Sequence, residues 1–318
     1  MKATLKSKLT EDICLQLTVE NHPFCYLCDC GMASDLTVKD CRDTAAIFVS
    51  HTHIDHFINF DGIMRHQLAI GRRVIICGPV GLAKNVQAKM LAFNWNLLKY
   101  DDMAVSYEVR ELHPDGRIVR FHMVTPKWEL DVLPDLEGPH IYENEVFAAR
   151  AALLDHGVDV VAYLFMEPPK VRLMPEKSTF KPGKWVKEAK EALLNGDAER
   201  LIYVDESTVL AALELFPLFE VEEGFRLAYV MDHAATEENA SKIRELCHQA
   251  DEVYVEAYYM LEDHELAERN KHSMAGFTAR VLREAGVKQA IPIHFSRRYQ
   301  DEEGQRLILD EFERAFRG

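Results

Sequence analysis

Residues 50–56 read Ser50-His51-Thr52-His53-Ile54-Asp55-His56 and follow directly on the apolar run 44–50, TAAIFVS. That run has the length and β-rich character of a buried strand, so the histidines open the loop at its C-terminal end. With 14 His and 52 Asp plus Glu in 318 residues, three His and one acid would fill these four positions by chance in about 0.004 of such chains. His51, His53 and Asp55 are two apart, so on extended backbone they project to one side while His56 points away. One short loop can thereby serve two adjacent metal ions. Neutral imidazole beside carboxylate suits Zn2+, and the same donors accept Mn2+ or Fe. The plain alternative is a polar loop with solvated histidines.

Working outward, strand patterns run over 2–9, 13–20, 24–30, 73–77, 104–112, 118–124, 146–154 and 160–166, with helical spacing at 57–70 and 80–94. The second half changes character: strands at 201–204, 226–231, 253–257 and 290–293 alternate with helices at 185–194, 237–249, 273–284 and 303–316. Apolar strands with amphipathic helices in both halves point to stacked sheets with helices outside. No repeat, low-complexity tract or Gly/Ser linker marks a boundary, so the expectation is one domain over 1–318.

Composition narrows the class. With 48% hydrophobic and 28% charged residues, disorder and collagen are excluded. No stretch of about 18 uncharged apolar residues occurs, so no membrane span is expected. The start, MKATLKSKLTEDICLQLTVE, alternates instead of forming an apolar core, so a signal peptide is not expected and the cytoplasm is the default location. Seven cysteines, an odd number in a long chain, read as reduced thiols. Cys25, Cys28 and Cys30 form a C-x-x-C-x-C that could hold a metal or a redox pair, but a buried strand with small thiol side chains is the simpler reading. The net charge of -15 repels phosphate backbones on average.

The loop at 50–56 resembles the HxHxDH loop of the metallo-β-lactamase superfamily, and other segments narrow the likeness to the ribonuclease Z (tRNA 3′-processing endonuclease) group. YLCDCG at 26–31 resembles the family's strand ending in Asp-Cys-Gly, and ALLDHGVDVVAYLF at 152–165 its LDHGV segment. VYVEAYY at 253–259 resembles its HEAT-like strand, KHSM at 271–274 its HST motif, and PIHFSRRY at 292–299 its THFSxRY. The resemblance implies an α/β fold, a four-layer αβ/βα sandwich. It implies that His156 joins His51 and His53 on one divalent metal, that Asp55, His56 and His294 hold a second, and that Asp232 bridges both. Here the chain has Met231-Asp232-His233 where the family has Gly-Asp-Thr. His272 matches the HST histidine, oriented by Glu256, a pair suited to protonating a departing ribose oxygen. Asp55 would also orient the attacking water.

Between His156 and Asp232 lies the place of the family's tRNA-gripping arm. Residues 170–190 carry seven basic and two acidic residues, a local charge of +5 that leaves -20 on the rest. An arm is therefore expected around 168–196, with Lys184 and Trp185 as contacts, though a charged run also suits a solvated helix face and Trp185 equally suits a core position. Arg298 and Ser296 of the HFSRRY segment are expected at the substrate, unless Arg298 serves a salt bridge. The reading is a dinuclear metal-dependent phosphodiesterase acting on precursor tRNA or another phosphate ester, with a homodimer implied by the family alone. A small-molecule hydrolase of the same superfamily (cyclic nucleotide, lactone or thioester) and a non-catalytic metal-binding protein are the alternatives.

Overall fold

The computed structural model describes residues 1–98 and 104–318. Residues 1–166 with 226–318 make one compact unit and 167–225 another.

In the larger unit, β1 (Lys2–Leu5), β2 (Leu15–Thr18), β3 (Cys25–Cys28), β4 (Thr44–Phe48), β5 (Arg73–Pro79), β6 (Ser106–Leu112), β7 (Ile118–Val124) and β8 (Asp131–Leu136) lie side by side in chain order. Strands β3 to β6 pair in parallel and the flanking ones antiparallel. Helices α1 (Val38–Asp43), α2 (Ile54–Phe57), α3 (Phe60–Arg65) and α4 (Leu82–Leu91) come from its connections. Strand alternation assigns the faces. Leu27 and Ile47 pack with Phe60, Ile63, Leu82 and Val86 of the helices. Tyr26 and Phe48 face the other way, where Phe48 meets Tyr163 and Phe165 at 5.3 and 4.8 Å between ring centroids.

Those two aromatics belong to the second sheet. It opens with β9 (Tyr142–Glu143), β10 (Ala148–Asp155) and β11 (Asp159–Met166). The smaller unit then holds β12 (Lys170–Leu173), β13 (Leu201–Tyr203), β14 (Val209–Ala211) and β15 (Phe219–Glu222), with helices α5 (Lys184–Asn195) and α6 (Ala212–Leu215). The chain returns with β16 (Arg226–Val230), β17 (Glu252–Glu256) and β18 (Gln289–Ile293), giving the order β18-β17-β16-β11-β10-β9. Helices α7 (Glu237–Leu246), α8 (His264–Asn270), α9 (Ala275–Glu284) and α10 (Glu302–Arg317) accompany it, and Val230, Val253 and Val255 share a core with Ile243, Leu282, Ile308 and Phe312. Helices, sheet, sheet and helices form four layers, the expected αβ/βα sandwich. At about 25 cal/mol per Å2 of apolar surface buried, the two helix-covered faces and the aromatic layer between the sheets are what hold it together.

Three local expectations change. The helix expected over 57–70 is two short ones, α2 and α3, because the Asn59 amide turns to the Cys30 carbonyl at 2.8 Å and interrupts the ladder. Strand β8 and helix α1 are additions. Pro134 in β8 suppresses its strand signal, which an edge strand tolerates, and α1 is set by its Thr37 capping box with Asp40.

The smaller unit pairs β12 with β15 and β13 with β14, and has its own core of Trp185, Ala189, Ala192, Ile202, Ala212, Leu215 and Phe219. Residues 170–190 are thus a strand, a turn and the start of a helix, and not one solvated helix face. No helix among the described residues is long and apolar enough to cross a membrane.

Candidate metal centre

The donor residues sit at the C-terminal ends of strands. Residues 51–56 follow β4, His156 follows β10, Asp232 follows β16, Glu256 ends β17 and His294 follows β18. Gly31 lets the 51–56 loop settle: a Cβ there would lie 2.5 Å from the Asp55 carbonyl oxygen and from the backbone of Asp12 and Ile13. The Ile13 amide donates to that same Asp55 carbonyl at 3.2 Å.

All seven expected ligands come together. His51, His53, His156 and Asp232 can each offer one donor atom, all within 4.8 Å of one another, and Asp55, His56 and His294 form a second such group. Asp232 faces both: its Oδ2 is 3.6 Å from His51 Nε2, 3.5 Å from His156 Nε2 and 3.4 Å from His56 Nε2, and its Oδ1 is 3.1 Å from His294 Nε2. His53 is exposed, whereas His51, His56, His156, Asp232 and His294 are buried.

What orients the rings lies one layer back. His156 Nδ1–H donates to the Lys271 carbonyl at 2.6 Å, and His56 Nδ1–H donates to Asp29 at 2.8 Å, so each turns the lone pair of Nε2 into the site. Asp29 is fully buried and accepts also from the Ser50 amide at 2.6 Å, the Ser50 hydroxyl at 2.7 Å and the Tyr229 hydroxyl at 2.7 Å. Asn239 brackets the approach to His156, its side chain bonding both the amide and the carbonyl of Asp155 at 2.9 Å. Asp29, Lys271 and His294 have left-handed backbone with φ of 59°, 56° and 56°. Each such residue costs on the order of 1 kcal/mol or more, and strain of this kind gathers where geometry is imposed for function.

Electrostatics fit a cation. Burial lowers His51 well below the ordinary histidine range, and lowers His53 too, so both stay neutral donors. Burial would lower His56 and raise Asp232, but the field wins: Asp232 and Asp29 push His56 up, while His294 and His56 hold Asp232 well below the usual carboxylate range. The test of fit is the orphaned atoms. His51 Nε2, His56 Nε2, His294 Nε2 and Asp232 Oδ1 are buried without a hydrogen-bond partner among the described residues. One such atom costs about 1–3 kcal/mol, and these four, spread over the two donor groups, are of the kind that a metal ion would satisfy.

Beside this cluster sits the second expected pair. His272 Nδ1–H donates to Glu256 Oε2 at 2.8 Å and lies 4.0 Å from Asp232 Oδ2. Glu256 is fully buried and its Oε1 accepts from the amides of His233 at 3.0 Å and Ser273 at 2.8 Å. The Met231-Asp232-His233 turn sets the Asp232 carboxylate between the two donor groups and adds a backbone donor to Glu256. Burial works against both charges, yet Glu256 raises His272 above the ordinary histidine value and His272 lowers Glu256.

The outer positions differ. Ser296 is buried and its hydroxyl accepts from the Arg298 amide at 3.3 Å, while Arg298 pairs with Asp263 at 3.3 Å. Trp185 is a correction: it is 1% exposed in the core of the smaller unit, its Nε1–H bonded to the Lys181 carbonyl, and it offers no face to a nucleotide. Lys184 is exposed. Cys25, Cys28 and Cys30 are buried free thiols, and burial raises all three out of the thiolate range; Cys25 Sγ donates to the Asp40 carbonyl at 3.3 Å, while Cys28 and Cys30 pack as small apolar groups. Sequence reasoning missed Asp29, Tyr229, Asn239 and the Lys271 carbonyl. An acid inside the apolar run 24–30 was the one available signal.

No family model matches the chain. It is 27% identical over 298 residues to ribonuclease Z of Deinococcus radiodurans, covering 89% of this chain and 85% of that one. It is 24% identical over 311 residues to ribonuclease Z of Borrelia hermsii, covering 94% and 85%. Among solved structures, the short form of human tRNase Z matches with a TM-score of 0.56 at 17% identity over 95% of both chains. The metallo-β-lactamase fold protein YhfI of Bacillus subtilis matches with a TM-score of 0.55 at 12% identity, covering 99% and 93%. The chain has the metallo-β-lactamase fold and is a relative of the ribonuclease Z proteins.

Proposed function

We propose that the protein is a dinuclear, zinc-dependent phosphodiesterase of the ribonuclease Z kind that cuts precursor tRNA at its 3′ end. The observation that carries the reading is the Glu256–His272 pair set against Asp232, since metal ligands alone would serve any hydrolase of this fold. His51, His53 and His156 would hold one cation and Asp55, His56 and His294 the other, with Asp232 shared. Such cations, when bound, acidify water and neutralise phosphate charge.

The chain's own residues do the rest. Asp55, half-buried at the loop, takes up the proton of the attacking water. His272, held at Nδ1 by Glu256, delivers its proton from Nε2 to the leaving 3′ oxygen. Water attacks phosphorus and the bond from phosphorus to the 3′ oxygen breaks. The RNA body keeps a 3′-hydroxyl and the trailer a 5′-phosphate. Ser296 and Arg298 brace the loop after His294, with Arg298 still exposed at the rim.

The exposed Lys181, Lys184 and Lys187 of the 170–190 segment supply the RNA grip. One observation favours a second reading: the smaller unit holds eight basic against twelve acidic residues, which suits a small phosphodiester better than a polyanion. The same lead reading makes the protein a cytoplasmic homodimer. Incubating zinc-loaded protein with a precursor tRNA and with bis(p-nitrophenyl) phosphate decides between them. Trailer removal is expected, and hydrolysis of the aryl diester without trailer removal assigns the small-molecule reading instead.

A further inference from the structure

Tyr258 stands two residues beyond Glu256 and lies flat on His272, with ring centroids 3.7 Å apart and planes 5° from parallel. Its other ring neighbours are Tyr259, edge-on at 4.9 Å, and His294, tilted at 5.3 Å. Its carbonyl accepts from the Ser296 amide at 3.1 Å, which ties the end of β17 to the loop carrying His294. The Tyr258 hydroxyl has no hydrogen-bond partner among the described residues, so its contacts are made by the ring.

The geometry matters because one hydrogen bond does not fix an imidazole. Glu256 holds Nδ1, but the tilted His156 ring at 4.6 Å and the edge-on Tyr259 ring at 6.1 Å do not lie flat on His272 and do not by themselves stop rotation of its ring plane. A flat partner removes that rotation. A face-to-face contact over the whole ring restricts its tilt in a way that one hydrogen bond at the edge does not. The hydrogen bond sets the edge of the ring and the stack sets its plane.

We propose that Tyr258 is a positioning residue that holds the ring plane of His272 so that Nε2 meets the leaving oxygen. This rests on reading His272 as the general acid. A nitrophenolate leaves without protonation, whereas a ribose oxygen needs it, so the two leaving groups separate proton delivery from everything else.

The test uses full-length, metal-loaded wild type, Tyr258→Phe and Tyr258→Leu with labelled histidine. Tyr258→Phe keeps the stack and is expected within about twofold of wild type on precursor tRNA. Tyr258→Leu is expected to lose roughly 10- to 100-fold in kcat on RNA, with KM, metal content and bis(p-nitrophenyl) phosphate hydrolysis unchanged. The carbon-bound ring protons of His272 are expected upfield, by ring current, in wild type and Tyr258→Phe and not in Tyr258→Leu. Equal losses in both variants, equal losses on both substrates, or unchanged His272 resonances in Tyr258→Leu overturn the role of Tyr258. A wild type that shows the upfield shift but leaves RNA uncut overturns the general-acid reading, and this proposal with it.

Discussion

Around Asp232, the rings of His56, His156 and His272 are each pinned at Nδ1 by a carboxylate or a carbonyl at 2.6–2.8 Å. The lysines of the smaller unit are held differently: Lys187 has one long pairing with Glu191 at 3.9 Å, and Lys181 and Lys184 have no ion pair among the described residues. The contrast is between preorganisation and adaptability. Chemistry on a phosphate needs donors fixed before substrate arrives, while a grip on a sugar-phosphate backbone works through charge that can shift to meet it. The two regions are therefore expected to fail in different ways.

The largest effect belongs to the shared carboxylate. Asp232→Ala removes the oxygens common to both donor groups and is expected to lower bound metal, read by elemental analysis, and to cut hydrolysis of RNA and aryl diester alike by about 10³-fold or more. Next comes His272→Ala, expected to retain metal but to slow RNA cleavage by roughly 10²- to 10³-fold while sparing bis(p-nitrophenyl) phosphate. If both substrates suffer equally, His272 has a structural role. Reversing Lys181, Lys184 and Lys187 to Glu should raise KM for precursor tRNA about tenfold and flatten its salt dependence, with the aryl diester unaffected. An unchanged KM would make the basic run a solvated surface.

The smallest effect should leave both regions alone. Glu108, on β6, is buried against Arg73, Arg110 and Arg120 at 2.8–3.0 Å. Burial would raise it, but the arginines hold it down to about 2 from an ordinary 4.5. Its folded value lies below its unfolded value, so its stabilisation is present above pH ~4.5 and is lost as pH falls toward 2. Glu108→Gln is expected to cost about 2–3 kcal/mol at pH 7, read as a lower Tm. The gap to wild type should narrow on acidification, with the RNA to aryl-diester rate ratio constant throughout.

The two regions were also unequally legible. His51, His53, Asp55 and His56 are contiguous, so local spacing sufficed, and the strand before them carries the β signal that places them. His156, Asp232 and His294 are isolated in the chain, and only their surrounding motifs, LLDHGV, LAYVMD and PIHFSRRY, identified them. Asp29 and the Lys271 carbonyl act through left-handed backbone that sequence alone does not reveal. In the smaller unit, β12 pairs with β15 across a long excursion, and four-residue strands carry too little periodicity to be read. Trp185 misled because an aromatic among lysines suits both a stacking platform and the core that it shares with Ala189, Ala192, Ile202 and Phe219.

The central claim is that one preorganised centre adds water to phosphorus and protonates a ribose 3′ oxygen. End-group analysis of the products from a single precursor tRNA tests it most directly. The account predicts a 3′-hydroxyl on the tRNA body and a 5′-phosphate on the trailer. A 2′,3′-cyclic phosphate, or an intact precursor in the presence of zinc-loaded protein that hydrolyses the aryl diester, would contradict it.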